Sequence, residues 1–170
     1  KTMYWDWTFR QGAEHYKKYC GTPPEHLLFA QRAALDMLLA EGLEAAWLRH
    51  EILARAVHAA VARWAEGGAI DFNITRPEER SRSITNVRML QGDARDIMRY
   101  AEQRCGVTLG IGLGTVEGKA FRIAHMGHTN APMVLGTLGS IEMALKALGI
   151  AHGPGGTDAA IATLAAQVPA

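Results

Sequence analysis

The sequence predicts an α+β fold, in which a short antiparallel sheet carries helices packed on one face and is preceded by a long helix. Helical apolar spacing is concentrated near the beginning and the end of the chain, and short alternating segments lie between. Glycines and prolines separate these segments. Helices segregated to one side of a sheet define the α+β class, and 170 residues suffice for a real core.

The first part of the chain carries two helical patterns. The opening twenty residues are aromatic and charged, and we expect them to be irregular. Pro23-Pro24 suits the first turn of a helix, and apolar residues recur at helical spacing over residues 25–40. Gly42 is a break, after which a longer helix is expected over residues 43–64.

Four short strands are expected in the middle of the chain, because β-branched and apolar residues alternate there with polar ones. The first two are separated by the polar residues 76–82, which predict a loop. The last two flank a glycine-rich loop. The expected strands are 70–74, 83–89, 107–109 and 120–125.

Three further helices follow from capping signals. Asp93 is a good N-cap, and Gly106 suits the position just beyond the end of that helix. Pro132 lies in the first turn of the next helix, capped by Thr129 or Asn130. A glycine-rich linker, 153–156, precedes the last helix. These helices are expected to end near residues 105, 148 and 167.

Composition excludes several kinds of partner. The net charge of +1 gives no basic stripe for nucleic acid. No run approaches 18 apolar residues, so we expect no membrane span, and the N-terminus lacks the apolar core of a signal peptide. Cys20 and Cys105 are too few for a disulfide framework, so we expect a reduced, cytoplasmic protein.

Two familiar motifs fail on spacing. The glycines of Gly110-Ile-Gly112-Leu-Gly114 lead into a strand and lack the spacing of a dinucleotide-binding loop. The seven histidines show no metal-binding pattern, so no metal site is expected. The methionines, Met133 and Met143 among them, are expected to fill the core.

Several segments together resemble the C-terminal portion of the class V, fold-type-I aminotransferases that depend on pyridoxal 5′-phosphate. The closest resemblance is to the serine–glyoxylate and alanine–glyoxylate members, and it runs in order along essentially all 170 residues. The segments that carry it are 4–7 (YWDW), 19–23 (YCGTP), 41–44 (EGLE), 118–127 (GKAFRIAHMG) and 149–156 (GIAHGPGG).

The resemblance implies roles for three residues. Tyr19 and Thr22 match a pair whose hydroxyls reach the cofactor phosphate of the other subunit, so a homodimer with shared active sites is implied. Arg122 matches the arginine that binds the substrate carboxylate, and its planar fork suits a carboxylate. Without the resemblance, Tyr19 and Thr22 are ordinary loop residues and Arg122 a surface ion-pair partner. Structural or interface roles are expected for the neighbouring His125 and His128.

None of the chain's lysines matches the Schiff-base lysine of this family, so no catalytic residue is expected within the chain. The five lysines are Lys1, Lys17, Lys18, Lys119 and Lys146. We therefore expect residues 1–42 to be the end of a large domain and its linking helix, and residues 43–170 to be the C-terminal small domain. The expected parent transfers an amino group from serine or alanine to glyoxylate or a similar 2-oxo acid.

Two alternatives stay open. Pyridoxamine–pyruvate and ureidoglycine–glyoxylate aminotransferases share the neighbourhood of Arg122, so the substrates are not fixed by these residues. The chain is also compatible with a non-catalytic, free-standing module.

Overall fold

The computed structural model describes residues 2–167, which divide into two compact units that meet between Leu43 and Glu44. The first unit contains three helices, and the second contains the sheet and the later helices. The helices are α1 (Trp7–Arg10), α2 (His15–Tyr19), α3 (Glu25–Glu41), α4 (Leu43–Ala65), α5 (Ala94–Cys105), α6 (Ala131–Ala147) and α7 (Gly156–Ala165). The strands are β1 (Ile70–Phe72), β2 (Ile84–Met89), β3 (Gly110–Ile111) and β4 (Ala120–Ala124).

The opening segment is helical, so the expectation of an irregular start was wrong. A short 3₁₀ turn precedes α1, and α2 follows. The Asp6 carboxylate accepts hydrogen bonds from the backbone N–H groups of Thr8 (3.0 Å) and Phe9 (3.4 Å), which caps α1. Helices of four or five residues are too short to show an apolar period, and only the cap could have predicted them.

The four strands form one antiparallel sheet in the order β1-β2-β4-β3. Alternate residues point to opposite faces of the sheet. The face that we call the inner face is buried by the helices. Its buried apolar residues are Ile70, Phe72, Val87, Met89, Phe121 and Ile123. We call the other side the open face.

Helices α4 to α7 cover the inner face, which confirms the predicted α+β arrangement. Their buried apolar residues join those of the sheet in one core. Trp64, Ile97, Leu138 and Leu145 are each fully buried in it. The Oδ1 atom of Asn130 accepts from the Met133 N–H (3.0 Å) at the start of α6, which selects Asn130 as the cap.

Some local expectations fail. The third strand is Gly110–Ile111 rather than 107–109, because the Val107 N–H donates to the Ala101 carbonyl and closes the end of α5 (3.0 Å). The first strand ends at Phe72, short of residue 74. Met133 and Met143 are 56% and 54% exposed, so they do not fill the core of this chain.

Within residues 2–167, no helix combines the length and the apolar character that crossing a bilayer requires. Cys20 and Cys105 are free thiols.

Candidate functional site

Arg122 lies in the middle of β4, on the open face. Its strand neighbours Phe121 and Ile123 are buried on the inner face, as alternation predicted. In the sheet register, Arg122 pairs with Asn86 of β2 and Gly110 of β3. A Cβ added to Gly110 would lie 3.1 Å from the Arg122 Cβ and 3.3 Å from its Nε, so the glycine gives the arginine room to cross β3.

Among the described residues, the Arg122 guanidinium is held at one nitrogen, and its other two nitrogens are unpaired. Its Nε donates to the Ile111 carbonyl (2.7 Å). Within residues 2–167, its two Nη groups have no hydrogen-bond partner, and no carboxylate forms an ion pair with it. A guanidinium fixed through Nε presents its remaining N–H groups as a preorganised donor for an anion.

A pocket of about 330 Å³ opens beside Arg122. We call it the Arg122 pocket. Because β1 ends at Phe72, the first part of β2 has no neighbouring strand on that side, and the loop that follows β1 borders the space instead. Residues that line it include His58, Phe72, Arg80, Thr85, Asn86 and Arg122.

Arg80 is the second arginine of the Arg122 pocket. Its Cζ lies 3.5 Å from the centroid of the Phe72 ring, in a cation–π arrangement. Its Nε donates to the Ile74 carbonyl (3.1 Å) and its Nη2 to the Thr75 carbonyl (3.0 Å). Burial lowers the pKa of Arg80, and the charges of Asp71 and Glu78 oppose that shift. These contacts hold the guanidinium against the pocket wall.

Two histidines lie at the pocket, and both are neutral at pH 7: the partly buried His58 lines it, and the fully buried His125 contacts Thr85, which also lines it. Burial lowers the pKa of His125 to about 4, and burial followed by the charge of Arg80 lowers the pKa of His58 to about 4. The Nδ1 of His125 faces the Arg82 carbonyl (3.1 Å), which can only accept. Nδ1 therefore carries the proton, and Nε2 accepts from the Thr85 hydroxyl (2.9 Å). His125 is thus hydrogen-bonded to Thr85 of β2. His128, in contrast, is exposed.

Tyr19 and Thr22 lie together in the first unit, on either side of a tight turn. Tyr19 is the last residue of α2 and Thr22 precedes α3. Between them, Cys20 adopts a left-handed conformation with φ +57°. The hydroxyls of Tyr19 and Thr22 bond to no other described residue, and both side chains are exposed. Arg122 belongs to the second unit.

No group of three or more His, Cys, Asp or Glu side chains within the described part of the chain could hold a metal ion.

Comparison with known proteins decides the family. The chain is 34% identical over 168 residues to the serine–glyoxylate aminotransferase of Methylorubrum extorquens, covering 98% of this chain and 41% of that protein. It is 42% identical over 130 residues to the serine–glyoxylate aminotransferase of Arabidopsis thaliana, covering 75% of this chain and 31% of that protein. The chain belongs to the class V aminotransferase family. It matches the C-terminal part of its relatives and spans less than half of their length.

Solved structures of aminotransferases share the fold. The pyridoxamine–pyruvate aminotransferase from Mesorhizobium loti matches with a TM-score of 0.72 and 33% identity, over 80% of this chain and 34% of that chain. The ureidoglycine–glyoxylate aminotransferase from Bacillus subtilis matches with a TM-score of 0.81 and 20% identity, over 96% of this chain and 42% of that chain. No family model matches the chain.

The described residues of this aminotransferase chain fit the phosphate of pyridoxal phosphate chemically. Tyr19 and Thr22 offer two hydroxyl donors that no described residue uses. The N-terminus of α3 follows three residues after Thr22 and has no side-chain cap. A pocket of about 440 Å³, lined by residues 22–27, opens at this point. Helix N-termini with free N–H groups favour phosphate.

The sequence of this aminotransferase chain did not predict that Arg80 and Asn86 line the Arg122 pocket. Arg80 falls in the predicted polar loop 76–82, and nothing in that loop indicates contact with β1. Asn86 lies in a correctly predicted strand, and its spacing places it on the same face as Arg88. Only the register, which pairs Asn86 with Arg122, brings it to the pocket, and register follows from three-dimensional packing.

Proposed function

We propose that this chain is the C-terminal part of a pyridoxal-phosphate-dependent aminotransferase that moves an amino group from serine or alanine to glyoxylate or a similar 2-oxo acid. The observation that carries the proposal is the Arg122 guanidinium, which is fixed through Nε beside a pocket and whose two Nη groups bond to none of the residues that the structure describes. The names and substrates of the relatives support it.

The role proposed for Arg122 is to bind the α-carboxylate of each substrate in turn. The amino acid and the 2-oxo acid both carry a carboxylate next to the reacting carbon, so one guanidinium can position both. Two parallel N–H···O bonds fix the direction of the carboxylate as well as its place. That orientation is what a ping-pong reaction needs, because donor and acceptor occupy the same site at different times.

We further propose that Tyr19 and Thr22 donate their hydroxyl protons to the cofactor phosphate in a homodimer with shared active sites. When bound, pyridoxal phosphate supplies the electron sink and carries the amino group between the two acids. We place the lysine that binds the cofactor covalently outside these 170 residues. In this proposal, residues 1–42 end a large domain and residues 43–170 form the small domain.

A second candidate is transfer between pyridoxamine and pyruvate. It is favoured by the 33% identity to the pyridoxamine–pyruvate transaminase of Mesorhizobium japonicum over 89% of this chain. Pyruvate, like glyoxylate, carries a carboxylate next to the reacting carbon, so Arg122 would bind it in the same way. The two candidates differ in the donor, which in one case is an amino acid and in the other has no carboxylate.

The test is Arg122→Ala in the complete natural protein, with each half-reaction followed separately. We expect KM to rise for both the amino acid and the oxo acid, with a loss of about 2–4 kcal/mol in transition-state binding, because a charge-assisted pair is removed. The matched control is Arg88→Ala, which removes an exposed guanidinium from the open face of β2 and should leave both KM values unchanged. An effect on the donor half-reaction alone would show that Arg122 does not bind the carboxylates of both substrates.

A further inference from the structure

One edge of the Arg80 guanidinium has no partner in the described part of the chain. The bonds from Nε and Nη2 to the Ile74 and Thr75 carbonyls use the N–H groups along the other edge of this planar group. Nη1 and the second N–H of Nη2 bond to none of residues 2–167. The Phe72 ring, whose centroid lies 3.5 Å from Cζ, holds the guanidinium in place. The unused edge is therefore a preorganised pair of parallel donors for two oxygens of an anion.

None of the described carboxylates near Arg80 forms an ion pair with it. The Glu79 carboxylate is engaged by Arg76 (2.7 Å). Asp71 and Glu78 favour the charge of Arg80 electrostatically, but among residues 2–167 neither bonds to it. Burial acts against the same charge. A desolvated charge without a counter-ion is costly, so this position favours an anion.

His58 supplies a second polar group without a partner. Its Nε2 is shielded from solvent and bonds to none of the described residues. The His58 ring meets the Phe72 ring edge-on, with 5.8 Å between the centroids, so His58 and Arg80 contact the same aromatic ring. Buried polar atoms are nearly always hydrogen-bonded in folded proteins, so this one indicates a partner outside the described residues.

These groups lie on the opposite side of the sheet from Arg122. Phe72 and Thr85 point to the inner face, whereas Asn86 and Arg122 point to the open face. Because β1 ends at Phe72, the Arg122 pocket passes around the edge of β2 and has lining residues from both faces. We call its inner-face end the Arg80 site, which is lined by His58, Phe72, Arg80 and Thr85.

From these observations we infer that the Arg80 site binds a small tetrahedral oxyanion, such as inorganic phosphate or sulfate, between α4 and the loop that follows β1. Two of its oxygens accept from the parallel N–H groups of Arg80, and a third accepts from His58 in the Nε2–H tautomer. A carboxylate has only two oxygens, so on Arg80 it leaves Nε2 without a partner. The bound oxyanion ties residues 73–83 to α4. The inference does not depend on the proposed role of Arg122.

The experiment measures hydrogen exchange of the complete natural protein by mass spectrometry in sodium phosphate, sodium sulfate or sodium acetate, at equal pH and ionic strength. Opening of residues 73–83 must release the anion, so a bound anion slows exchange there by a factor that grows with its concentration over Kd. We expect exchange about tenfold slower in phosphate or sulfate at about ten times Kd. Acetate should need an about tenfold higher concentration, because it lacks one hydrogen bond. An anion held near residues 22–27 would slow exchange in other peptides.

Three variants assign the effect to the Arg80 site. Arg80→Gln should remove the slowing by phosphate. His58→Phe keeps an aromatic ring against Phe72 but removes Nε2, so phosphate should lose its advantage over acetate. The matched control is Arg88→Gln, which removes an exposed guanidinium outside the pocket lining and should keep the full effect.

Equal exchange of residues 73–83 in the three salts, or slowing by phosphate that survives Arg80→Gln, would overturn the inference. Equal potency of acetate and phosphate on the wild type would also overturn it, because His58 would then make no contact with the anion. If Arg80→Gln fails to fold by circular dichroism, Arg80→Lys replaces it. That variant should retain part of the slowing, because the charge remains but the parallel N–H groups are lost.

Discussion

Gly156 supports the second unit through a contact that no other residue type can make. It is the first residue of α7 and lies against Trp64 of α4, whose ring is fully buried. A Cβ built on Gly156 would lie 2.0 Å from Trp64 Nε1 and 2.6 Å from both Cδ1 and Cε2. The ring sits in the core and has no free end to swing away. Gly156→Ala therefore forces either the indole or the start of α7 to move.

The expected loss follows from two opposing effects. Overpacking a filled core costs about 1–3 kcal/mol, and here the upper part of that range applies because the clash is with a rigid ring. Alanine at a helical position gains up to about 1 kcal/mol over glycine. We expect a net loss of about 2 kcal/mol in the free energy of unfolding. For a chain of this size, that lowers Tm by roughly 4–8 °C.

The assay is urea and thermal unfolding of wild type and Gly156→Ala, compared with Gly136→Ala in α6. A Cβ on Gly136 would meet nothing within 4 Å. That substitution should raise the stability by about 0.5–1 kcal/mol, because only the helix propensity changes. The same chemical change should thus have opposite signs at the two sites. Equal stability of the two variants would refute the packing argument.

Two predictions concern acid pH. Burial raises the pKa of Glu142, but hydrogen bonds from the Thr157 hydroxyl (2.7 Å) and N–H (2.8 Å) outweigh it and hold the pKa at about 2. Because this pKa is depressed below its ordinary 4.5, the stabilisation is present above pH 4.5 and is lost as the pH falls toward 2. Thr157→Val removes the hydroxyl donor and raises the folded-state pKa, so in unfolding measurements the acid loss should become smaller and should be complete at a higher pH; an unchanged profile would contradict the role of the hydroxyl. Burial lowers the pKa of His58 and His125 from 6.5 to about 4, so the unfolded chain binds protons at a higher pH than the folded one. The free energy of unfolding should therefore decrease as the pH falls from 6.5 to 4. NMR signals of both rings that titrate near 6.5 in the folded protein would show that burial does not lower their pKa values.

The elements with local signals were predictable from sequence. Asp93 caps α5 through the Arg95 N–H (2.9 Å), and Gly106 ends it with φ +68°, as the residue types indicated. The long apolar period of α4 placed it within one residue of its observed end. Each of these signals acts within a few residues, so it can be read without knowledge of the fold.

The elements that depend on partners were not predictable. β3 has only two residues and exists because Gly110 and Ile111 pair with β4. Met133 and Met143 resemble core residues by type, yet only the packing of α6 decides which of its faces is buried.

At the candidate site, alternation placed Arg122 on the open face, but its role came from the family resemblance. The Arg80 contact with Phe72 depends on a loop conformation that no periodicity encodes.

The measurement that tests the central proposal most directly is transfer of labelled nitrogen to glyoxylate by the complete natural protein with pyridoxal phosphate. Labelled serine and alanine are offered in turn, and glycine is analysed by mass spectrometry. We expect labelled glycine from at least one of these donors, and much less from the Arg122→Ala variant. No labelled glycine from either donor would contradict the proposed function, and amino transfer from pyridoxamine to pyruvate would then establish the second candidate.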